Sequence, residues 1–251
     1  MNVSFVNYSK QHAKYPEIEE AMLKVARSND RIPRGEVQKF EQNLAEFVGT
    51  KYAIGCANGT DALTMSLRAL GIGKGDEVIT VGYTFHATVE AIVHNGAIPV
   101  LVDVGEDGMM DIESLRHALK SEKIKAVIPV HLMGDMSNVK AIEELIEHRL
   151  IAIIEDACQA LGSVRDNYRA GARGWVGAFS FFPAKILGAY GDAGAITTND
   201  ENLYNELKNM REHYKYSDVP KYGFNSRLDE LQAAILNVKF KYLHEMIKRR
   251  Q

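Results

Sequence analysis

The stretch GAFSFFPAKILGAYGDAG, Gly177 to Gly194, places one lysine, Lys185, after an apolar, strand-like run and Pro183. Gly188, Gly191 and Gly194 follow, and they let the backbone approach a ligand closely. A lysine so placed is a candidate amine nucleophile. Desolvation by Phe179, Phe181, Phe182 and Pro183 would favour the free amine that carbonyl chemistry needs. On this stretch alone a solvated surface lysine reads as well, so the companions of Lys185 must decide.

Outward from that run, short apolar segments alternate with helical patterns. From Lys51 the strands read YAIGC, EVITV, IPVLVDV, AVIPV and IAIIED, with GAITT at Gly194 to Thr198 beyond the lysine. Helices are expected from Asp61 to Leu70, Thr88 to Asn95, Asp111 to Leu119, Val139 to His148 and Glu201 to Arg211. The alternation predicts an α/β fold, a mostly parallel central sheet covered by helices on both faces as a three-layer α/β/α sandwich. Right-handed crossovers then gather the loops after the strands on one edge, where open α/β folds bind ligands. Before the sheet, a polar extended start leads to helices at Pro16 to Ser28 and Glu36 to Val48, separated by a break containing Pro33 and Gly35. Glu212 to Asn225 reads as an irregular loop, and Ser226 to Arg250 as one long helix with Ser226 as its N-cap and Asp229 three residues on. The expected division is a helical segment over 1–50, a large α/β domain over 51–225, and the start of a linker helix over 226–251.

Composition narrows the class. The 251 residues are 46% hydrophobic and 25% charged, with a net charge of −3, which leaves no basic excess for a nucleic-acid partner. Two cysteines, Cys56 and Cys158, form neither a disulfide framework nor a zinc pattern. No run approaches the roughly 18 apolar residues of a membrane span, and a soluble, cytoplasmic protein is expected.

Four further features share the predicted sheet edge. Asn58-Gly59-Thr60-Asp61 lies between a strand and a helix, a turn that either caps the helix or holds an anion on its unpaired N–H groups. Phe85, after EVITV, either packs in the core or presents a ring face to a planar ligand. Asp156 ends IAIIED beside Gln159; its carboxylate caps a helix, binds a metal, or pairs with a protonated ring nitrogen. His86 and His131 read as structural. An anion cradle, an aromatic plate, an aspartate and a lysine, in that order, suit pyridoxal 5′-phosphate.

Those residues sit in runs that resemble the DegT/DnrJ/EryC1/StrS sugar aminotransferases, pyridoxal-phosphate enzymes of fold type I: ANGTDAL, GYTFHAT, EDACQALGS, FSFFPAKILGAYGDAGA and FNSRLDELQAAIL. The resemblance implies the large domain of that fold, with Lys185 as the Schiff-base lysine and proton carrier. It assigns Asp156 to the pyridinium nitrogen, Gln159 to the ring's phenolic oxygen and Phe85 to stacking on the ring. Gly59, Thr60, Asp61 and Ser180 would hold the phosphate, with Asn225 supplied by the neighbouring subunit of a homodimer. The implied reaction moves nitrogen from an amino acid, usually glutamate, to a keto group of a nucleotide-linked sugar. NSRLD at Asn225 to Asp229 is similar to members that aminate 3-keto sugars.

The family's dehydratases carry histidine where Lys185 stands, which argues against that activity. A Rossmann dehydrogenase is disfavoured because no GxGxxG follows the first strand. Members continue into a small C-terminal domain that the sequence does not contain, so a non-catalytic cofactor binder or regulatory remnant is the alternative, with apolar residues of the last helix left uncovered. GDAGA stands for the usual GDGGA, and Met133 in HLMGDMSN replaces the tyrosine of the usual HLYG run.

Overall fold

A computed structural model describes residues 6–29, 34–215 and 220–251. Pro33 and part of the 212–225 loop lie outside the described residues. The chain opens with helix α1, Tyr8–Ala13, where an extended start is expected from sequence. Asn7 makes the difference, its side chain accepting the N–H of Lys10 at 2.9 Å as an N-cap. Helix α2, Glu17–Arg27, and α3, Gly35–Val48, follow as their apolar spacing predicts, and α3 stops at Gly49, whose φ of 91° suits glycine.

The strands and helices then alternate: β1 Tyr52–Cys56, α4 Gly59–Ala69, β2 Glu77–Val81, α5 Ala87–His94, β3 Ile98–Val102, α6 Ile112–Ala118, β4 Ile124–Val127, α7 Val139–Ile146, β5 Ala152–Asp156. A small hairpin of β6, Val164–Arg165, and β7, Tyr168–Arg169, comes next. It turns on Asp166 and Asn167, both at positive φ, a two-residue signal that the apolar-run reading passes over. The main sheet resumes with β8, Val176–Ser180, and β9, Gly194–Thr198, then α8, Glu201–Met210.

Seven strands form one sheet in the order β1-β9-β8-β5-β4-β2-β3. Among the described residues, only β9 runs against its neighbours, pairing antiparallel with β1 and β8, so the sheet is mostly parallel. Period-two side chains divide between two faces. Ile54, Cys56, Ile154 and Ala178 pack with Leu63 and Leu67 of α4, Ile92 of α5 and Leu207 of α8. On the other face Ala53 and Phe179 meet Phe40 and Leu44 of α3, while Val127 and Ile153 meet Leu115 of α6 and Ile142 of α7. The layers are therefore helix, sheet, helix.

The C-terminal stretch departs from expectation. Instead of one helix from Ser226, there are two, α9 Glu230–Phe240 and α10 Leu243–Lys248, broken at Lys241 and Tyr242. Ser226 does not cap either; its hydroxyl is buried, donating to Asp61 Oδ2 at 2.7 Å and accepting the N–H of Ala57 at 3.2 Å. Most of α9 is covered, since Ala233 to Lys239 are buried and the helix packs on α2 and α3, whereas Leu231 is 41% exposed. At its start, the buried carboxylate of Glu230 accepts the N–H groups of Arg34, Glu36 (2.8 Å) and Val37 (3.3 Å), so one helix caps the first turn of another. No helix among the described residues is long and apolar enough to cross a membrane.

Candidate active site

The parallel strands end on a common edge, and the sheet's last residues there are Cys56, Val81, Asp156 and Ser180. Asp156 is 5% exposed and held from two sides. Its Oδ2 accepts the Thr88 hydroxyl at 2.8 Å, and its Oδ1 accepts the N–H of Cys158 at 3.2 Å. Because Thr88 donates to the carboxylate, its 2.8 Å contact with Thr84 Oγ1 must be received, so the proton order runs Thr84 to Thr88 to Asp156. Thr88 lies inside GYTFHAT, yet its role was not legible there: a threonine near a helix start reads as a cap.

The next residue back, Glu155, anchors this strand end. Fully buried, it accepts His131 Nε2–H at 2.8 Å and the backbone N–H groups of Gly171 (3.0 Å), Arg173 (2.7 Å) and Gly174 (2.6 Å). His131 Nδ1 in turn accepts the N–H of Ser137 at 3.2 Å, which fixes the ring proton on Nε2. The histidine is structural, as its sequence context suggests. Burial pushes Glu155 up, but its hydrogen bonds and the His131 partner outweigh it, and the carboxyl stays below its ordinary value.

At the head of α4, Asn58 accepts the N–H of Asp61 at 2.8 Å, a true N-cap. Asp61 is thus engaged through its N–H and, by Ser226, through its carboxylate. The capping reading holds, since Asn58 closes the helix, and the N–H groups of Gly59 and Thr60 are left without an acceptor among the described residues. A Cβ at Gly59 would sit 2.9 Å from Ser180 Cβ and 2.9 Å from Cys158 Sγ, so only glycine leaves that space open. Gly194 presses equally on Asn58, where a Cβ would lie 2.9 Å from its Cα.

Lys185 rises from the loop after β8 and is half-buried. Its amine makes no hydrogen bond or ion pair among the described residues, and its charge acts on Cys158 beside Asp156. Cys158 thus joins Asp156, through its N–H, to the Gly59 turn and Ser180, and the Lys185 loop leaves β8 directly after Ser180. Burial, then Asp156, pushes the Cys158 thiol well above its usual range, so the sulfur is an inert neighbour. The aromatic wall expected around Lys185 is built differently. Phe179 and Phe181 are buried in the core, Phe181 edge-on to Phe40, while Phe182 is exposed. Phe85 is 61% exposed, which excludes the core-packing reading, and it leans on His86 at 4.7 Å between centroids. Gln159 Oε1 accepts the N–H of Met133 at 3.3 Å, so the residue replacing the family's tyrosine sits beside it. Asn225 is exposed and bridges in the backbone to Glu212, next to Ser226, whose hydroxyl reaches Asp61.

The lysine loop is tightly closed. Ala189 N–H donates to Phe181 O and Lys185 N–H to Phe182 O, both at 2.8 Å. A Cβ at Gly188 would lie 2.7 Å from Pro183 C and 2.9 Å from Pro183 Cα. Gly188→Ala is therefore expected to open this loop, destabilising the chain by about 1–3 kcal/mol and weakening capture of a carbonyl ligand by Lys185; thermal unfolding and ligand titration of the variant check both.

Residues 13–251 match the DegT/DnrJ/EryC1/StrS aminotransferase family. The chain belongs to that family. It is 42% identical over its whole length to the "Pleiotropic regulatory protein" of Geobacillus stearothermophilus, of which it spans 68%. Over 99% of its length it is 41% identical to UDP-2-acetamido-2-deoxy-3-oxo-D-glucuronate aminotransferase of Pseudomonas aeruginosa, of which it spans 70%. The crystal structure of DesV from S. venezuelae superposes with a TM-score of 0.93 at 36% identity, covering 97% of this chain and 66% of DesV. Pyridoxal phosphate is the cofactor of this family of aminotransferases. The site fits it in three respects: a turn at Gly59 whose N–H groups have no acceptor among the described residues, a buried carboxylate that retains accepting capacity, and a lysine amine with no partner among the described residues.

Proposed function

We propose that the chain carries the cofactor chemistry of a nucleotide-sugar aminotransferase, moving nitrogen from an amino acid, L-glutamate, to a 3-keto sugar. The observation that carries this reading is the meeting of Asp156, Ser180 and the Gly59 turn around Cys158 on the sheet edge from which the Lys185 loop leaves β8. The 3-oxo sugar in the name of the P. aeruginosa relative supports the choice of ketone.

When bound, pyridoxal phosphate supplies an aldehyde for the amine and an electron-withdrawing ring. Gly59 and Thr60 offer their N–H groups and Ser180 its hydroxyl to the phosphate. Asp156, held by Thr88 and Cys158, would pair with the protonated ring nitrogen. Phe85 would stack on the ring, and Gln159 would reach its phenolic oxygen. Lys185 acts twice, first as the amine that holds the cofactor and then as the base and acid that moves a proton at its Nζ. Asn225, exposed in this chain, is offered to the phosphate of a partner subunit, which makes the working unit a homodimer. A net charge of −3 and two unpaired cysteines suit a cytoplasmic enzyme.

An absorbance spectrum with added pyridoxal phosphate, before and after L-glutamate, tests the reading. A visible band that glutamate converts to a near-ultraviolet band is expected. Absence of the band, or a band that no amino acid changes, would overturn it.

A further inference from the structure

Lys239 lies in the last turn of α9 and is 0% exposed. Its ammonium has no carboxylate partner among the described residues. It donates to the carbonyl of Gly188 and lies 5.6 Å from the centroid of the Tyr190 ring. Both contacts fall in the loop that carries Lys185. One turn pair earlier on α9, Gln232 Oε1 accepts the N–H of Tyr190 at 2.9 Å, and the Tyr190 hydroxyl meets His12 Nδ1 at 2.7 Å.

We propose that Lys239 is a positioning residue for Lys185: its buried amine ties the lysine loop to α9 through Gly188, setting where the Lys185 amine stands. The inference rests on the assignment of Lys185 as the cofactor lysine. A buried ammonium without a carboxylate is costly, and an apolar side chain of the same length would stabilise α9 more. Burial alone lowers the Lys239 pKa to about 8. What the amine provides in return is a fixed Gly188 carbonyl. That carbonyl lies in the segment closed between Pro183 and Gly188, so its release lets the Lys185 backbone shift without disturbing β8 or α9.

Lys239→Met in the full chain tests this. Its thermal midpoint is expected to match or exceed the parent's. The pyridoxal phosphate concentration giving half-maximal borohydride-fixed cofactor at Lys185, read by peptide mass, should rise about tenfold, the scale of one charge-assisted hydrogen bond. Amide exchange should quicken in 185–191 and not in β8 or α9. A fixation curve identical to the parent's, or exchange quickened equally in β8 and α9, overturns the proposal. Should the Met variant not fold, Lys239→Gln decides by the same two readouts. Lys185→Ala run alongside separates the two claims: cofactor fixed to that variant at another lysine sinks the Lys185 assignment, whereas loss there with a parent-like Lys239→Met curve sinks this inference alone.

Discussion

Lys185→Ala is expected to lower transamination by about 10⁴-fold or more, the scale on which removing a covalent nucleophile acts. The prediction follows from how little else the side chain does. The amine makes no hydrogen bond or ion pair among the described residues, and the residue is half-buried in the first part of a loop closed by backbone bonds. Its loss should therefore leave the thermal midpoint nearly unchanged. Cofactor should still bind through the Gly59 and Thr60 N–H groups, but without a borohydride-fixed product. Single-turnover mixing with L-glutamate reads the rate. A variant that keeps parent-like turnover would remove Lys185 from the chemistry.

The largest stability effect is expected at Glu155. Glu155→Ala leaves the His131 Nε2–H and three backbone N–H groups, of Gly171, Arg173 and Gly174, without the buried acceptor they share. Stranding buried donors around a removed charge costs about 3–5 kcal/mol. In a chain of this size that is on the order of 10 °C of midpoint. The same carboxylate predicts an acid limb. Its folded-state pKa is depressed below the ordinary 4.5, so its contribution is complete above that value and is lost as pH falls through the depressed one. Urea unfolding followed from pH 7 to pH 3 should show stability falling below about pH 4.5, and the Glu155→Ala variant should show a shallower fall. A variant that unfolds with the parent would show that these donors find water or other partners.

The sheet was legible because buried parallel strands write themselves as continuous apolar runs, as in EVITV and IAIIED. Asp156 and Lys185 were legible because each interrupts such a run at its end. What stayed hidden depends on distance along the chain. The bond from Ser226 to Asp61, the hold of Thr88 on Asp156 and the tie of Lys239 to Gly188 join residues that no local pattern relates. The break between α9 and α10 was missed because the apolar spacing continues through Lys241 and Tyr242, which gives periodicity nothing to register. The aromatic run FSFFP misled in one respect, since period-two strand geometry sends Phe179 and Phe181 to the core and leaves Phe182 outside.

The position of β9 carries a consequence for synthesis. Among the described strands, β1 comes first in sequence and pairs in the sheet with β9, which comes last. Until residues 194–198 emerge, Tyr52–Cys56 has no edge to join, and the Gly59 turn that follows it has no Gly194 to rest on. Nascent chains halted before β9 should thus hold β2 to β8 in protected form while β1 remains open to protease. Closure of the cofactor cradle then becomes a late event in the life of the chain, timed by translation rather than by ligand.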